Sequence, residues 1–364
     1  MNRSSRWTPL IVAVLLSLAS SVEAQIDDGR LRLFGHLTQG MAASDDVSVH
    51  GVPTTLTTDL RTVALQFRFA IGDANEMVLQ VKHQRLGISP IQQLEDDIEM
   101  QWAFYQHRFG DLRIRAGRTP VPFGIFNEMR DVGTVLPFYR VPQNLYPEGT
   151  EAADGVVVSY QYGESSGWNA RVDGFVGMLA FRGAIYTPDP AFPVALYDLR
   201  TERTVGGQLW IGTPVPGLRV GAAVQDFAFR DEDGGGIPDP GGTYWIVSLD
   251  GAFDRVTVRS EVSFLNIPWY TTRTATAQVG GWVTPVIGLF GQAELADQEG
   301  LIPVTDQIRM SEDFALALNL RATPNVLLKL EGHRVNGYLF EQWTNPAGPG
   351  INTMYALASI SVSF

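Results

Sequence analysis

No cysteine occurs anywhere in this 364-residue chain, which excludes disulfides, thiol nucleophiles and thiolate metal sites. Lysine is almost as scarce: Lys82 and Lys329 are the only two, so arginine carries nearly all the positive charge. Long apolar runs are missing too. After residue 24 nothing approaches the roughly 18 consecutive apolar residues of a membrane-spanning helix. Excess positive charge is also absent. Lys+Arg number 27 against 39 Asp+Glu, a formal net charge of −12, which argues against a nucleic-acid partner. The five histidines (36, 50, 83, 107 and 333) have neither H-x-x-x-H nor H-E-x-x-H spacing, so no metal ligands or catalytic residues are expected among them.

What is present is alternation. The chain is 45% hydrophobic, with 37 glycines and 21 prolines, and its apolar residues are spread at period two. Sixteen candidate strands lie near residues 31–43, 60–71, 76–86, 98–109, 112–117, 154–162, 168–181, 204–211, 218–230, 244–253, 256–265, 273–283, 288–296, 311–322, 326–335 and 353–364. In the second, Val63, Leu65, Phe67, Phe69 and Ile71 form one face and Ala64, Gln66 and Arg68 the other. In the last, Met354, Ala356, Ala358, Ile360, Val362 and Phe364 alternate with mostly small hydroxylated residues.

Connections alternate in length as well. Short turns (72–75, 110–111, 163–167, 212–217, 254–255, 284–287, 324–325) fall between longer loops (44–59, 87–97, 118–153, 182–203, 231–243, 266–272, 297–310, 336–352). This asymmetry predicts an all-β fold: a 16-stranded antiparallel transmembrane β-barrel with short periplasmic turns and long external loops. A propeller would repeat with a period near 40 residues, and no such repeat is found. Aromatics near the connections, among them Phe109, Tyr160, Trp168, Tyr244, Trp245, Trp269 and Tyr355, are expected to form interfacial girdles.

Upstream of the first strand, Arg3 and Arg6, the apolar stretch Leu10–Ala19 and the small-x-small Val22-Glu-Ala24 read as a cleaved signal peptide over residues 1–24. The mature chain, 25–364, is then one barrel domain. Removing Arg3, Arg6 and Glu23 leaves 25 basic and 38 acidic residues, a net charge near −13.

Two apparent motifs carry nothing. Gly163-Glu-Ser-Ser-Gly167 matches a nucleophile elbow but sits between two strands rather than before a helix. Asp231-Glu-Asp-Gly-Gly-Gly-Ile-Pro-Asp239 has calcium-type oxygens but no closing glutamate, and reads as an exposed acidic turn. The longest connection, 118–153, is different. It carries Arg118, Glu128, Arg130, Asp131, Arg140, Glu148 and Glu151, stiffened by five prolines. Alternation places Arg68, Lys82, Arg113 and Arg115 on a mainly basic lumen wall, because a charge facing lipid at mid-depth costs roughly 2–4 kcal/mol.

The run Arg113-Ile-Arg-Ala-Gly-Arg-Thr-Pro-Val-Pro-Phe-Gly124 opening a long third loop resembles the sixteen-stranded Gram-negative porins, closest to the phosphate-selective superfamily. The late turn Thr323-Pro-Asn-Val-Leu-Leu-Lys-Leu-Glu331 and the final strand ending in Phe364 are similar to that group too. The resemblance implies a passive outer-membrane diffusion channel for small hydrophilic solutes or ions, without cofactor, and a homotrimer. Its third loop would fold inward as a constriction, where charged rings sort solutes. Implied partners are outer-membrane lipids, lipopolysaccharide and the barrel-assembly machinery, which would read Phe364. Two alternatives stay open: an outer-membrane enzyme of phospholipase or protease type, and a plugged barrel serving adhesion or assembly.

Overall fold

The computed structural model describes residues 24–26, 30–95, 97–163, 167–230, 241–268, 270–300 and 307–364. The signal segment before Ala24, the acidic turn Asp231–Asp239, Trp269 and the centre of the Gly163–Gly167 turn lie outside the described residues.

A short strand, β1 (Ala24–Ile26), precedes sixteen long ones. These are β2 (Leu31–Ser44), β3 (Thr57–Ala70), β4 (Asn75–Leu86), β5 (Glu99–Phe109), β6 (Leu112–Pro120), β7 (Ala152–Tyr162), β8 (Asn169–Tyr186) and β9 (Val194–Gly212). The other half comprises β10 (Leu218–Phe229), β11 (Gly241–Ala252), β12 (Val256–Ile267), β13 (Tyr270–Trp282), β14 (Ile287–Glu299), β15 (Ile308–Thr323), β16 (Val326–Gly337) and β17 (Ile351–Ser363). Each pairs antiparallel with its sequence neighbour, and β17 pairs with β2 from Tyr355↔Ser44 to Ser363↔His36, closing the barrel. Closure gives each of the sixteen long strands a partner on both sides along most of its length, which is what lets a sheet cross a membrane.

Period-two alternation decides which side chain faces where. Phe67 pairs with Leu79 and Phe69 with Met77, and all four sit on the outer face with Leu65 and Val81. Phe314, Leu316, Leu318 and Leu320 line the outer face of β15 and are exposed, as a lipid-facing belt requires. Glutamines, threonines and charged residues fill the inward positions, and many of them are buried.

Three expectations need correction. The loop expected at 182–203 is mostly strand: β8 and β9 continue until Tyr186 pairs with Val194, and only the proline-bearing tip Thr187–Pro193 turns. Pro188, Pro190 and Pro193 lack the amide donor a ladder needs, so they mark the tip and not the whole connection. Tyr244 and Tyr355 do not join a girdle. Tyr244 donates to the Leu145 carbonyl at 2.8 Å, and Tyr355 stacks on His333 at 4.2 Å, both inside the barrel.

The seam between β17 and β2 is sealed by an aromatic ring. A Cβ placed on Gly35 would lie 2.1 Å from the Phe364 ring, so only glycine admits the ring against the backbone. The Phe364 amide and carbonyl also pair with Gly35, at 3.0 and 2.9 Å. Phe364→Ser should lower the yield of heat-modifiable, folded barrel several-fold, and Gly35→Val should do the same by evicting the ring. Gel-shift quantification of both variants at wild-type level would show that the seam does not need the ring.

Candidate functional site

Between β6 and β7 the chain leaves the wall and runs through the barrel interior. This segment, residues 121–151, is unusually apolar for a loop. Val121, Phe123, Ile125, Phe126, Leu136, Phe138, Val141, Leu145 and Tyr146 are all buried. Opposite them, inward positions that would ordinarily be polar are apolar: Val157, Phe175, Leu179, Trp210, Ala223 and Ile246 pack against the loop in one cluster. On the far side Phe138 packs against Ala315 and Ala317. The loop therefore supplies the hydrophobic core that a water-filled barrel lacks.

Polar anchors fix its path. Three wall carboxylates accept loop backbone amides. Glu261 takes Ile125 N at 2.9 Å, Glu294 takes Asn144 N at 3.0 Å, and Glu331 takes Tyr139 N at 2.7 Å. The Tyr146 hydroxyl also donates to Glu261 at 2.6 Å. Two wall donors cap loop carbonyls: Asn319 reaches Pro137 O at 3.1 Å, and Lys329 reaches Phe138 O at 2.9 Å. Near the last residues of β17, Thr134 bonds Ser363 at 3.2 Å. Gly133 lies so near that a Cβ there would sit 2.1 Å from the Thr38 hydroxyl. A hydrogen bond contributes roughly 0.5–1.5 kcal/mol net, and more where one partner is charged, so these anchors together outweigh the apolar contacts of any one side chain.

The sequence-expected residues fall into four places. Lys82, only 1% exposed, pairs with Glu151 at 3.0 Å and Glu99 at 3.2 Å. Arg130 pairs with Glu148 at 3.2 Å and Glu151 at 3.7 Å, completing a buried cluster at the loop base. Lys82 is thus spent on the loop and does not contribute an open basic wall. Burial alone would raise the Glu151 carboxyl, but Lys82 and Arg130 hold it well below the usual carboxylate range.

Glu128, in the 3-10 turn Asn127–Met129, meets Arg115 at 3.1 Å and Arg171 at 3.4 Å. Burial opposes its charge, yet the two guanidinium groups keep it below its ordinary value. Asp131 is buried beside Gln80 at 3.5 Å. Arg140 is directed away from this cluster, donating to His50 O at 2.8 Å. Arg118 stands on the outward face of β6, bonded to the Gln101 carbonyl and 3.5 Å from Asp154. Its neighbour Thr119 is fully buried, and alternation turns Arg118 away from the lumen.

Arg68 and Arg113 line a cavity of about 650 Å³ between the loop and the β2–β8 side of the wall. Arg32, Arg108, Arg115 and Arg171 line it too, against Asp73, Glu76 and Glu128. Its floor is formed by the short turn Gly72–Asn75. Arg113 Nε and Arg115 Nε and Nη2 are buried with no hydrogen-bond partner among the described residues. Sequence reasoning missed Arg32, Arg108 and Arg171, although each has the inward parity of its strand. It also missed Glu261, Glu294 and Glu331, single acids at inward mid-strand positions.

No family model and no curated protein matches the chain. Solved structures do match. OmpF of Salmonella typhi, in complex with daunomycin, superposes with TM-score 0.61 at 11% identity over 92% of this chain and 97% of that one. The anion-selective porin from Comamonas acidovorans gives 0.56 at 12%, covering 92% and 99%. The outer membrane channel DcaP of Acinetobacter baumannii gives 0.53 at 13%, covering 92% and 97%.

Glu151→Gln should loosen the loop base, since breaking one partner of a buried pair costs about 3–5 kcal/mol. A depressed carboxylate stabilises above its unfolded value, near 4.3, and loses that contribution as pH falls below it. The thermal midpoint of the variant should therefore lie several degrees below wild type at pH 7, with the gap narrowing toward pH 3. A gap independent of pH would contradict the ion-pair assignment. Closed by neighbour-to-neighbour pairing of sixteen strands and crossed by its third loop, the chain has the architecture of the porin barrels.

Proposed function

We propose that the barrel is an outer-membrane channel of a Gram-negative bacterium through which small hydrophilic solutes or ions diffuse passively. No bond is made or broken. One observation carries this reading: the arginine-lined cavity of about 650 Å³ that remains beside a loop otherwise packed against the wall. The names of two similar structures, a porin and an outer membrane channel, support it by fold. Solutes would pass through this cavity, beside the Glu128–Arg115 pair and along Arg68 and Arg113 on the wall, with Asp131 buried behind the loop. Charge at the narrowest point would sort them, because screening over roughly 8–10 Å mutes distant loop charges at ordinary salt. The guanidinium atoms of Arg113 and Arg115 without partners favour anions there. The channel would act as a homotrimer, embedded among outer-membrane lipids after delivery by the barrel-assembly machinery.

A second reading has its own observation. Glu261, Glu294, Glu331, Asn319 and Lys329 fasten the loop to most of one side of the wall, as a plug would be fastened. Conductance in planar bilayers separates the two: discrete steps support the channel, and a silent bilayer supports the plug.

Selectivity gives the sharper test. A unit charge about 8 Å from a passing ion in water is worth roughly 0.5 kcal/mol, or about two-fold in permeability ratio. Arg113→Ser with Arg115→Ser should shift the reversal potential toward cations by a few-fold in that ratio. Glu128→Gln with Asp131→Asn should shift it toward anions. If neither pair moves the reversal potential, the route lies elsewhere in the barrel.

A further inference from the structure

The β8–β9 hairpin outlasts its neighbours. Pairing of β7 with β8 ends at Ala153↔Leu179, whereas β8 and β9 stay paired from Ala180↔Arg200 to Tyr186↔Val194. At roughly 3.3 Å per residue, the stretch from Ala180 to Tyr186 reaches roughly 20 Å past its last strand partner on the β7 side. This hairpin is stiff. Thr187 N donates to Pro193 O at 3.0 Å and Ala191 N donates to Asp189 at 2.9 Å, beside the tip prolines 188, 190 and 193. Further down, the Tyr197 ring lies so close over Gly183 that a Cβ there would sit 2.1 Å from it.

Other connections support its base. Gly149 of the third loop approaches so closely that a Cβ there would lie 3.1 Å from Arg182 N, and Arg182 pairs with Glu99 at 3.5 Å. The 3-10 turn Pro90–Gln93 touches both β8 and β9. The tip is held far away. There the Tyr186 hydroxyl donates to Glu341, in the connection after β16. In the closed ring β8 and β16 stand eight strands apart by either route, diametrically opposite one another. Hairpin and connection therefore meet across the long-loop mouth of the barrel. Glu341 is itself fixed, accepting Gly51 N at 2.6 Å while its own amide donates to Ser48 O at 3.0 Å. Between those two lies His50, at a left-handed φ of 52°, whose carbonyl accepts Arg140 of the third loop at 2.8 Å.

One rigid bar is thus held over the opening, by the wall on one side and by the first and last long loops on the other. A hydroxyl bonded to a carboxylate is among the stronger hydrogen bonds, and swinging the bar aside would break it. We propose that the β8–β9 hairpin is a strap across the external mouth that sets the largest solute admitted, with Tyr186 and Glu341 as its latch. This deepens the channel reading above and rests on it: solutes meet a size limit at the strap before they meet charge beside the third loop. Ions and small sugars pass on either side of the strap, and oligosaccharides do not.

The test is swelling of liposomes carrying the full chain in arabinose, sucrose and raffinose, with each rate taken relative to arabinose. Wild type is compared with Tyr186→Phe and with a chain in which Asn-Gly replaces residues 183–197. Arg182 faces Asp198, so a two-residue turn can join them. Truncation should raise the relative raffinose rate several-fold, and Tyr186→Phe should raise it by a smaller factor. Folding is read from the heat-shifted band, and Tyr186→Phe, which removes only a hydroxyl, keeps the test decisive if the truncated chain does not fold. The latch is read separately, by joining Tyr186→Cys to Glu341→Cys with a short bismaleimide in the otherwise cysteine-free chain. An unchanged raffinose ratio in the folded truncated chain or in Tyr186→Phe, or failure of the two thiols to join, would each overturn the inference. Arabinose entry with unchanged ratios overturns this inference alone. No arabinose entry through any of the three proteins overturns the channel reading and the strap's role with it. Entry gained only on truncation overturns the open channel and leaves the strap as its closure.

Discussion

Backbone amides of the third loop end on carboxylates that the wall holds inward, and most of the structure follows from that arrangement. A barrel of sixteen strands encloses more space than inward side chains alone can fill. Without the loop, Glu261, Glu294 and Glu331 would be isolated acids in a wide lumen. With it, each finds a donor on the loop main chain. Apart from the 3-10 turn Asn127–Met129 the loop has no helix or sheet ladder of its own, so these wall groups satisfy amides that would otherwise be stranded. Wall and loop complete one another, which explains why the inward positions of β12, β14 and β16 are so thoroughly buried.

The same economy governs charge. Lys82, Arg130, Glu148 and Glu151 neutralise each other at the loop base, and Arg115 shares Glu128 with Arg171. Arginine is in excess on one side, where Arg32, Arg68, Arg108 and Arg113 face the open cavity and Arg32 and Arg68 share Glu76. A chain with net charge −12 thus presents a locally positive cavity, lined by six arginines against Asp73, Glu76 and Glu128.

Strand count, closure and the lipid-facing register were legible in the sequence, because Phe67, Leu65 and Val63 alternate without interruption. The same alternation gives Arg68, Arg113 and Arg115 their inward parity. The loop's partners were not. Phe175, Trp210 and Ile246 break the polar-inside rule only because Phe123, Ile125 and Leu145 come to rest on them, a contact between segments far apart in the chain. Nothing local to Lys82 announces that Glu151 will reach it, and nothing near Tyr244 announces that its hydroxyl caps a loop carbonyl and not a membrane interface. Period-two patterning reads faces; it does not read what enters the lumen.

The central claim is that the loop resides in the lumen permanently while a route beside it stays open. Because the native chain has no cysteine, it can be tested against a clean background. Thr134 and Ser363, whose hydroxyl oxygens lie 3.2 Å apart, can be replaced by cysteines and oxidised to tie the loop to the wall. The decisive measurement is single-channel conductance of the Thr134→Cys/Ser363→Cys protein before and after oxidation. The account predicts that the cross-link forms readily and leaves the conductance unchanged. Failure of the two thiols to join in the folded barrel, or loss of conductance when they do, would contradict it.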